Sequence, residues 1–452
     1  MSSAPLDTKP SFGEAFRLWA KLGFINFGGP AAQIAMMHRM VVDERRWIGE
    51  TRFLHALNYC TLLPGPEAQQ LATYIGWLLH RTWGGIVAGS MFVLPGFLCI
   101  MALSWLYAVH GEVPAVAALF YGLQCAILAI VFQAVVRIGG RALKNPAMVT
   151  LAALAFVALF FLHVPFPIVV IAAALVGFIG HRLAPELFKG SGHGGGKGDG
   201  AADRVLDDGA DHLVPNAGHT AAIALIGGAL WLGPVALLWA TFGWQSTWTQ
   251  LGVFFSEMAV VTFGGAYAVL AYVAQEAVNH YGWLKPEEML SGLALAETTP
   301  GPLILVVQFV GFLAGYRDPG TLDPSLAGML AATLVVWVTF VPSFLWILIG
   351  APYVERLRGL PRLDAALTAI TAAIVGVILN LAVWFALHVV FAEVTFVQVG
   401  WIHLPRPTLA TIDPVALALA LAAAVALFRF KRGIVETLAG SAILGMAWRL
   451  LA

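Results

Sequence analysis

The chain has 452 residues, 60% of them hydrophobic and 11% charged, with 25 basic and 25 acidic side chains and a mean hydropathy of +0.83. A soluble domain carries roughly 25% charged residues. No soluble fold of this length hides so much apolar surface, so the composition predicts an all-α polytopic membrane protein set in a lipid bilayer. The balanced charge says nothing about nucleic acid, and no basic tract supports such a partner, so none is expected. Cys60, Cys99 and Cys125 stand apart with no CxxC pair, which predicts free thiols and neither metal nor cofactor. An integral-membrane enzyme is disfavoured on the same ground.

In chain order, the polar stretch Met1–Ser11 lacks the basic region, apolar core and cleavage site of a signal peptide. The first helix is therefore expected to act as its own insertion signal. Residues 12–45 carry Glu14, Arg17 and Lys21 and a central Gly28-Gly29-Pro30; residues 50–81 carry Arg52, His55 and Asn58 and a central Pro64-Gly65-Pro66. As one straight helix, a stretch of about 32 residues spans roughly 48 Å, too long for a single hydrocarbon core. Broken in the middle, each gives arms of about 15 residues, roughly 22 Å, able to reach the midplane and return. Re-entrant hairpins are the favoured reading, and kinked pairs that cross fully are the competing one. The turn at 39–52 holds Arg39, Arg45, Arg46 and Arg52. These form either an entry funnel for anions or topology determinants, the second slightly favoured.

Apolar spans follow at 83–109, 114–137, 146–162 and 165–183, and Gly84, Gly85 and Gly89 predict close helix packing. Residues 184–219 are Gly- and Asp-rich without an apolar period, which predicts a flexible linker. Its His193, His212 and His219 have no metal-ligand spacing. A further span at 220–243 precedes a second interrupted stretch, 247–317, and then spans at 325–350, 363–390, 409–428 and 433–450. The chain thus divides into a first repeat at 1–183, the linker at 184–219 and a second repeat at 220–452.

The two repeats share landmarks. NFGGP at 26–30 matches TFGGA at 262–266, Trp47 matches Trp283, and Pro64-Gly65-Pro66 matches Pro300-Gly301-Pro302, all at an offset of 236. Pro95 and Pro342 match at an offset of 247, as do Gln133 and Asn380. This is an internal duplication, common among secondary transporters. Arginines and lysines collect near 81, 137–144, 182–189, 356–362 and 429–432, while 391–408 carries only Arg406. The positive-inside rule makes the first set, and with it the linker, cytoplasmic. Five spans separate the two starts, an odd number, so the sequence predicts an inverted-topology repeat with Gly/Pro-broken helices in each half.

Irregular backbone at membrane depth is tolerated where it lines a cavity. Pro30, Pro66 and Pro302 are placed to start helices, and helix N-termini favour anions. Gln33, Gln69, Gln70 and Gln308 fall in the first turns as side-chain donors. The substrate-binding set is then Asn26, Gly28, Gly29, Pro30, Gln33, Pro64, Gly65, Pro66, Gln69, Gln70, Thr262, Gly264, Gly265, Pro300, Gly301, Pro302 and Gln308. Such a site suits a compact oxyanion. The arms entering each break also bring carbonyl ends, which favour a cation or proton, so counting dipoles leaves the sign of the field open. Glu67 and Glu297 flank the two Pro-Gly-Pro breaks. Each is either a proton-coupling group or a partner for free N–H groups or an arginine. Lys21 and Arg45 are further charge candidates, with snorkelling to the surface favoured for Lys21.

The stretches NFGGPAAQIAMMHRMVVDERRWI, LLPGPEAQQLATYIGWLLHRTWGG and FVLPGF resemble the N-terminal domain of the chromate ion transporter family. VTFGGAYAVLAYVAQEAVNHYGWL and ETTPGPLILVVQFVGFLAGY are similar to its C-terminal domain. The resemblance covers nearly the whole chain outside the linker and fits the long, two-domain form. It implies an inner-membrane protein that exports chromate from the cytoplasm, confers chromate resistance and depends on the membrane potential or proton gradient. Sulfate is the natural analogue. The family's motif residues fall on Phe27, Gly28, Gly29, Pro30, Pro64, Gly65, Pro66 and Gln70, and on Phe263, Gly264, Gly265, Pro300, Gly301 and Pro302. Ala266 stands where the first repeat has Pro30, which weakens the equivalence of the four helix starts. The expected mechanism is alternating access around the breaks. A general oxyanion carrier and a gated anion channel are the rivals, and a homodimer is one arrangement the sequence admits.

Overall fold

The computed structural model describes residues 10–188, 216–263, 266–353 and 361–451. Gly264, Gly265, Lys189, Arg356, Arg358 and most of the linker, His193 and His212 included, lie outside the described residues. The protein is an all-α polytopic membrane protein. Seven helices in the described residues are long and apolar enough to cross a membrane, with three shorter apolar helices beside them.

Helix α1 (Phe12–Ile25) starts at a capping box: Ser11 Oγ accepts from Glu14 N and Glu14 Oε2 accepts from Ser11 N. The chain breaks at Asn26–Gly28 and restarts as α2 (Gly29–His38), which ends in a π-helical turn, Arg39–Glu44. Helix α3 (Glu50–Leu62) runs to the Pro-Gly-Pro break, and α4 (Glu67–His110) follows it. Straight, α4 would be roughly 66 Å long. It is instead bent back at His80 and Arg81, whose φ values are −138° and 57°. The two arms run antiparallel: a methyl group on Gly76 would stand 2.3 Å from Gly84 O, and one on Gly89 would stand 2.2 Å from Thr73 Oγ1. Only glycine permits that approach, which is the packing the sequence predicts for Gly84, Gly85 and Gly89.

Helices α5 (Pro114–Ala142), α6 (Pro146–Phe160) and α7 (Phe166–Leu183) complete the first half. Most of the later starts carry proline in the first turn, and Asn145 caps α6 through Met148 N. Helix α8 (Ala217–Phe242) is apolar all round, with Val235 as its one buried residue. A helix of that kind belongs against lipid.

Next come α9 (Thr247–Val261), α10 (Ala266–Gln275), a π-helical turn at Glu276–His280, α11 (Pro286–Thr298) and α12 (Val306–Arg317). The match with the first half is local and close. Both π-helical turns sit at the same offset, and Trp47 N donates to Val41 O as Trp283 N donates to Ala277 O. Helix α13 (Pro324–Gly350) packs antiparallel on α12, with Gly311 and Gly315 against Ala331 and Ala327. Helix α14 (Pro361–Val390) is wrapped by α5, α6 and α7, and α15 (Pro414–Phe428) and α16 (Ile434–Leu451) pack on α5.

Between α14 and α15 lies an antiparallel hairpin of β1 (Val394–Val399) and β2 (Ile402–Pro407). The sequence reading has only a loop there. Alternation over six residues, with two prolines in β2, is too short a signal to separate a strand from a loop.

Two large buried apolar cores result among the described residues, with a smaller third around Met148, Phe188 and Ala369. One gathers the arms of the first half around Trp19, Phe53, Leu71 and Phe92 and is closed by Ile347 and Leu348 of α13. The other joins α5, α9, α11, α12 and α14.

Candidate functional site: the cavity between the helix breaks

Each break of one half meets a break of the other half. Gly301 N donates to the Asn26 side chain, 2.7 Å to Oδ1, and to Asn26 O at 3.3 Å. In the counterpart position Gly65 N donates to Thr262 O at 2.8 Å. So the residue ahead of FGG in each half, Asn26 or Thr262, holds the Pro-Gly-Pro break of the other. Both central glycines have positive φ, 125° at Gly65 and 109° at Gly301, a region costly for any side chain. A Cβ on Gly65 would stand 2.6 Å from Ser343 Oγ, and one on Gly301 would stand 3.3 Å from Gly96 Cα. Gly96 and Ser343 are themselves 247 apart, so these contacts are reciprocal too.

The four helix starts line one small buried cavity: Pro30 of α2, Pro66 and Glu67 of α4, Ala266 of α10, and Pro302 and Leu303 ahead of α12. Gln33, Gly65 and Thr262 complete the set named in the sequence. Helix α10 begins at Ala266 although it lacks the proline of α2. None of the starts at Gly29, Glu67 and Leu303 has a side-chain cap. The carbonyl ends are differently placed. Asn26 O accepts from Gly301 N and Gln33 Nε2, Thr262 O from Gly65 N, and Pro64 O from Gln70 Nε2. Carbonyl charge is thus neutralised within the protein while N-terminal charge faces the cavity. The helix ends favour an anion, at roughly 0.3–2 kcal/mol per end, while an ionised Glu67 in the same lining opposes one.

The glutamines serve mainly as struts. Gln33 Nε2 bridges Asn26 O and Gly301 O at 2.9 and 2.7 Å. Gln69 Nε2 reaches Thr73 Oγ1, Gln70 Nε2 reaches Pro64 O, and Gln308 Nε2 reaches Phe97 O. In this conformation their donors tie segments together rather than pointing into the cavity. The free volume is about 20 Å³, room for about one water. A tetrahedral oxyanion needs more and fits here only if the arms separate.

Two carboxylates lie differently. Glu67 opens α4 and lines the cavity. Glu297 is buried and accepts a short hydrogen bond from the Tyr267 hydroxyl. Tyr267 is a partner that sequence reasoning missed, because its pairing depends on how α10 and α11 pack. Lys21 is exposed on α1, and Arg45 stacks over Trp47, 5.1 Å from its ring centroid. Neither lines the cavity. His38 packs edge-on to Phe53 and contacts Glu50 and Asp43 in the polar turn.

A multi-pass membrane protein whose interrupted helices meet at one buried cavity has the build of a solute transporter. Chromate transporter is the family that matches, over residues 13–178 and 249–446, and the chain belongs to it. It is 33% identical over 370 residues to a chromate transport protein of Pseudomonas aeruginosa, covering 81% of this chain and 79% of that one. A chromate transport protein of Cupriavidus metallidurans is 27% identical over 360 residues, 79% of this chain and 78% of its own. A probable chromate transport protein of Synechococcus elongatus is 26% identical over 381 residues, 83% of this chain and 86% of its own. No solved structure matches the chain.

Proposed function

We propose that the protein exports chromate from the cytoplasm across the inner membrane, and that the cavity between the breaks is where the anion binds. The convergence of four helix starts on one cavity, with the facing carbonyls already hydrogen-bonded, carries this reading. Backbone N–H groups replace part of the anion's hydration shell at little reorganisation cost. The two halves act as an inverted repeat, with the arginine-rich ends and the linker cytoplasmic. Rocking of one half against the other exposes the cavity to each side in turn. The reciprocal bonds, Gly301 to Asn26 and Gly65 to Thr262, are the contacts exchanged in that motion.

The nearly filled cavity favours a carrier over a channel, since an open filter keeps a continuous water path. Chromate and sulfate are tetrahedral dianions of similar size, so backbone donors discriminate weakly between them, and sulfate is an expected competitor. Glu67 is the coupling group: ionised, it opposes a dianion in the same cavity, and protonated it does not. Proteoliposomes loaded with sulfate test the reading. Saturable chromate–sulfate exchange without net current is expected, and an ohmic anion current would replace the carrier with a channel.

A further inference from the structure

A second cavity, far larger than the central one, lies at the end of the molecule that carries the hairpin. Its volume is about 450 Å³, and it opens between the 161–165 loop, the end of α10, the π-helical turn after it, α14 and the hairpin. That size is within the range of small-molecule sites. Helix α10 links the two cavities: Ala266 at its start lines the central one, while Tyr272 and Gln275 near its end line this one. Six to nine residue steps along the helix put them roughly 9–14 Å apart.

Two observations say what the cavity takes. Asn380 lines it, is 1% exposed, and has no hydrogen-bond partner on either Nδ2 or Oδ1. A buried amide left so costs about 1–3 kcal/mol per unmatched atom, and it calls for a ligand that both donates and accepts. The described lining residues include one carboxylate, Glu276, two histidines, His163 and His280, and no lysine or arginine. Glu276 repels an oxyanion here and attracts a cation. The walls are aromatic, with Phe166 stacked on Tyr272 at 5.4 Å and Trp384 and Phe396 also in the lining, and ring faces favour organic cations over hydrated metal ions.

We propose that this cavity binds an ethanolamine-type group: a primary ammonium held by Glu276 and Asn380 Oδ1, with the adjacent oxygen accepting from Asn380 Nδ2. The group comes either from a free amino alcohol or from a phosphatidylethanolamine headgroup. The test is calorimetric titration of ethanolamine into the full chain in phosphatidylcholine nanodiscs. Saturable binding is expected, at least tenfold weaker in Glu276→Gln and in Asn380→Leu, retained within a few-fold in Glu276→Asp, and weaker for ethylammonium, which lacks the oxygen. Repeating the titration in discs with phosphatidylethanolamine separates the sources, because a lipid occupant lowers the apparent affinity and a free one leaves it unchanged. No saturable binding in phosphatidylcholine discs, equal affinity in a monodisperse Glu276→Gln, or displacement of ethanolamine by sulfate would each overturn the proposal.

Discussion

Gly65 and Gly301 are where a single substitution says most. Each combines a positive φ with a backbone hydrogen bond to the other half. Alanine at either position costs about 1–3 kcal/mol in backbone strain and pushes against Ser343 or Gly96. Gly65→Ala and Gly301→Ala are expected to lower transport and the detergent melting temperature together, measured by chromate flux and thermal unfolding. Asn26→Leu removes the 2.7 Å acceptor of Gly301 N and leaves a buried donor poorly matched, at about 1–3 kcal/mol; its melting temperature should fall, while Lys21→Ala on the exposed face of α1 leaves it unchanged. Glu67→Gln tests coupling. In the wild type, sulfate affinity should weaken as pH rises, because ionised Glu67 adds negative charge to a cavity that must hold a dianion. Sulfate stays doubly charged across the neutral range, so Glu67→Gln should flatten the profile in equilibrium binding.

At the scale of elements, paired broken arms are the unit of construction. In the first half, Gly76 and Gly84 let the arms of α4 touch backbone to backbone, and Gly89 makes room for the Thr73 side chain. Gly76→Leu should force those arms apart and lower the melting temperature by more than Gly140→Leu does, because a Cβ at Gly140 meets nothing within 4 Å. Much of this was legible in the residues. Proline and glycine punctuate the helix starts at Pro30, Pro66 and Pro302 whatever the tertiary context, and small residues at 84, 85 and 89 announce close packing. The reversal at His80–Arg81 falls where the sequence divides the 50–81 stretch from the 83–109 span, but its geometry was less legible, since neither residue is a usual turn former and the fold imposes φ 57° on Arg81. The crossed pairing of Asn26 and Thr262 with the other half's Pro-Gly-Pro, the Tyr267–Glu297 bond and the Gln33–Gly301 and Gln308–Phe97 struts join residues 30 to 275 positions apart. Local periodicity carries no information on such partners. The sign of the field at the cavity was illegible for the same reason: it depends on which carbonyls are already bonded.

At the scale of the whole molecule, the two π-helical turns closed by Trp47 and Trp283 are counterparts, and the inverted reading puts them on opposite faces of the membrane. Single cysteines at Asp43 and Asn279, in a background with Cys60, Cys99 and Cys125 replaced by alanine, should label with an impermeant maleimide from opposite sides. Labelling from one side would remove the inverted repeat and leave only the duplication. The measurement that tests the central claim most directly is chromate uptake into everted vesicles, with and without an energy source, for the wild type and for Gly65→Leu and Gly301→Leu at matched membrane levels. Export through the paired breaks predicts energised accumulation in the wild type, competition by excess sulfate, and loss of accumulation in both variants. Accumulation that survives in folded, inserted variants, or none at all in an active wild-type preparation, would contradict it.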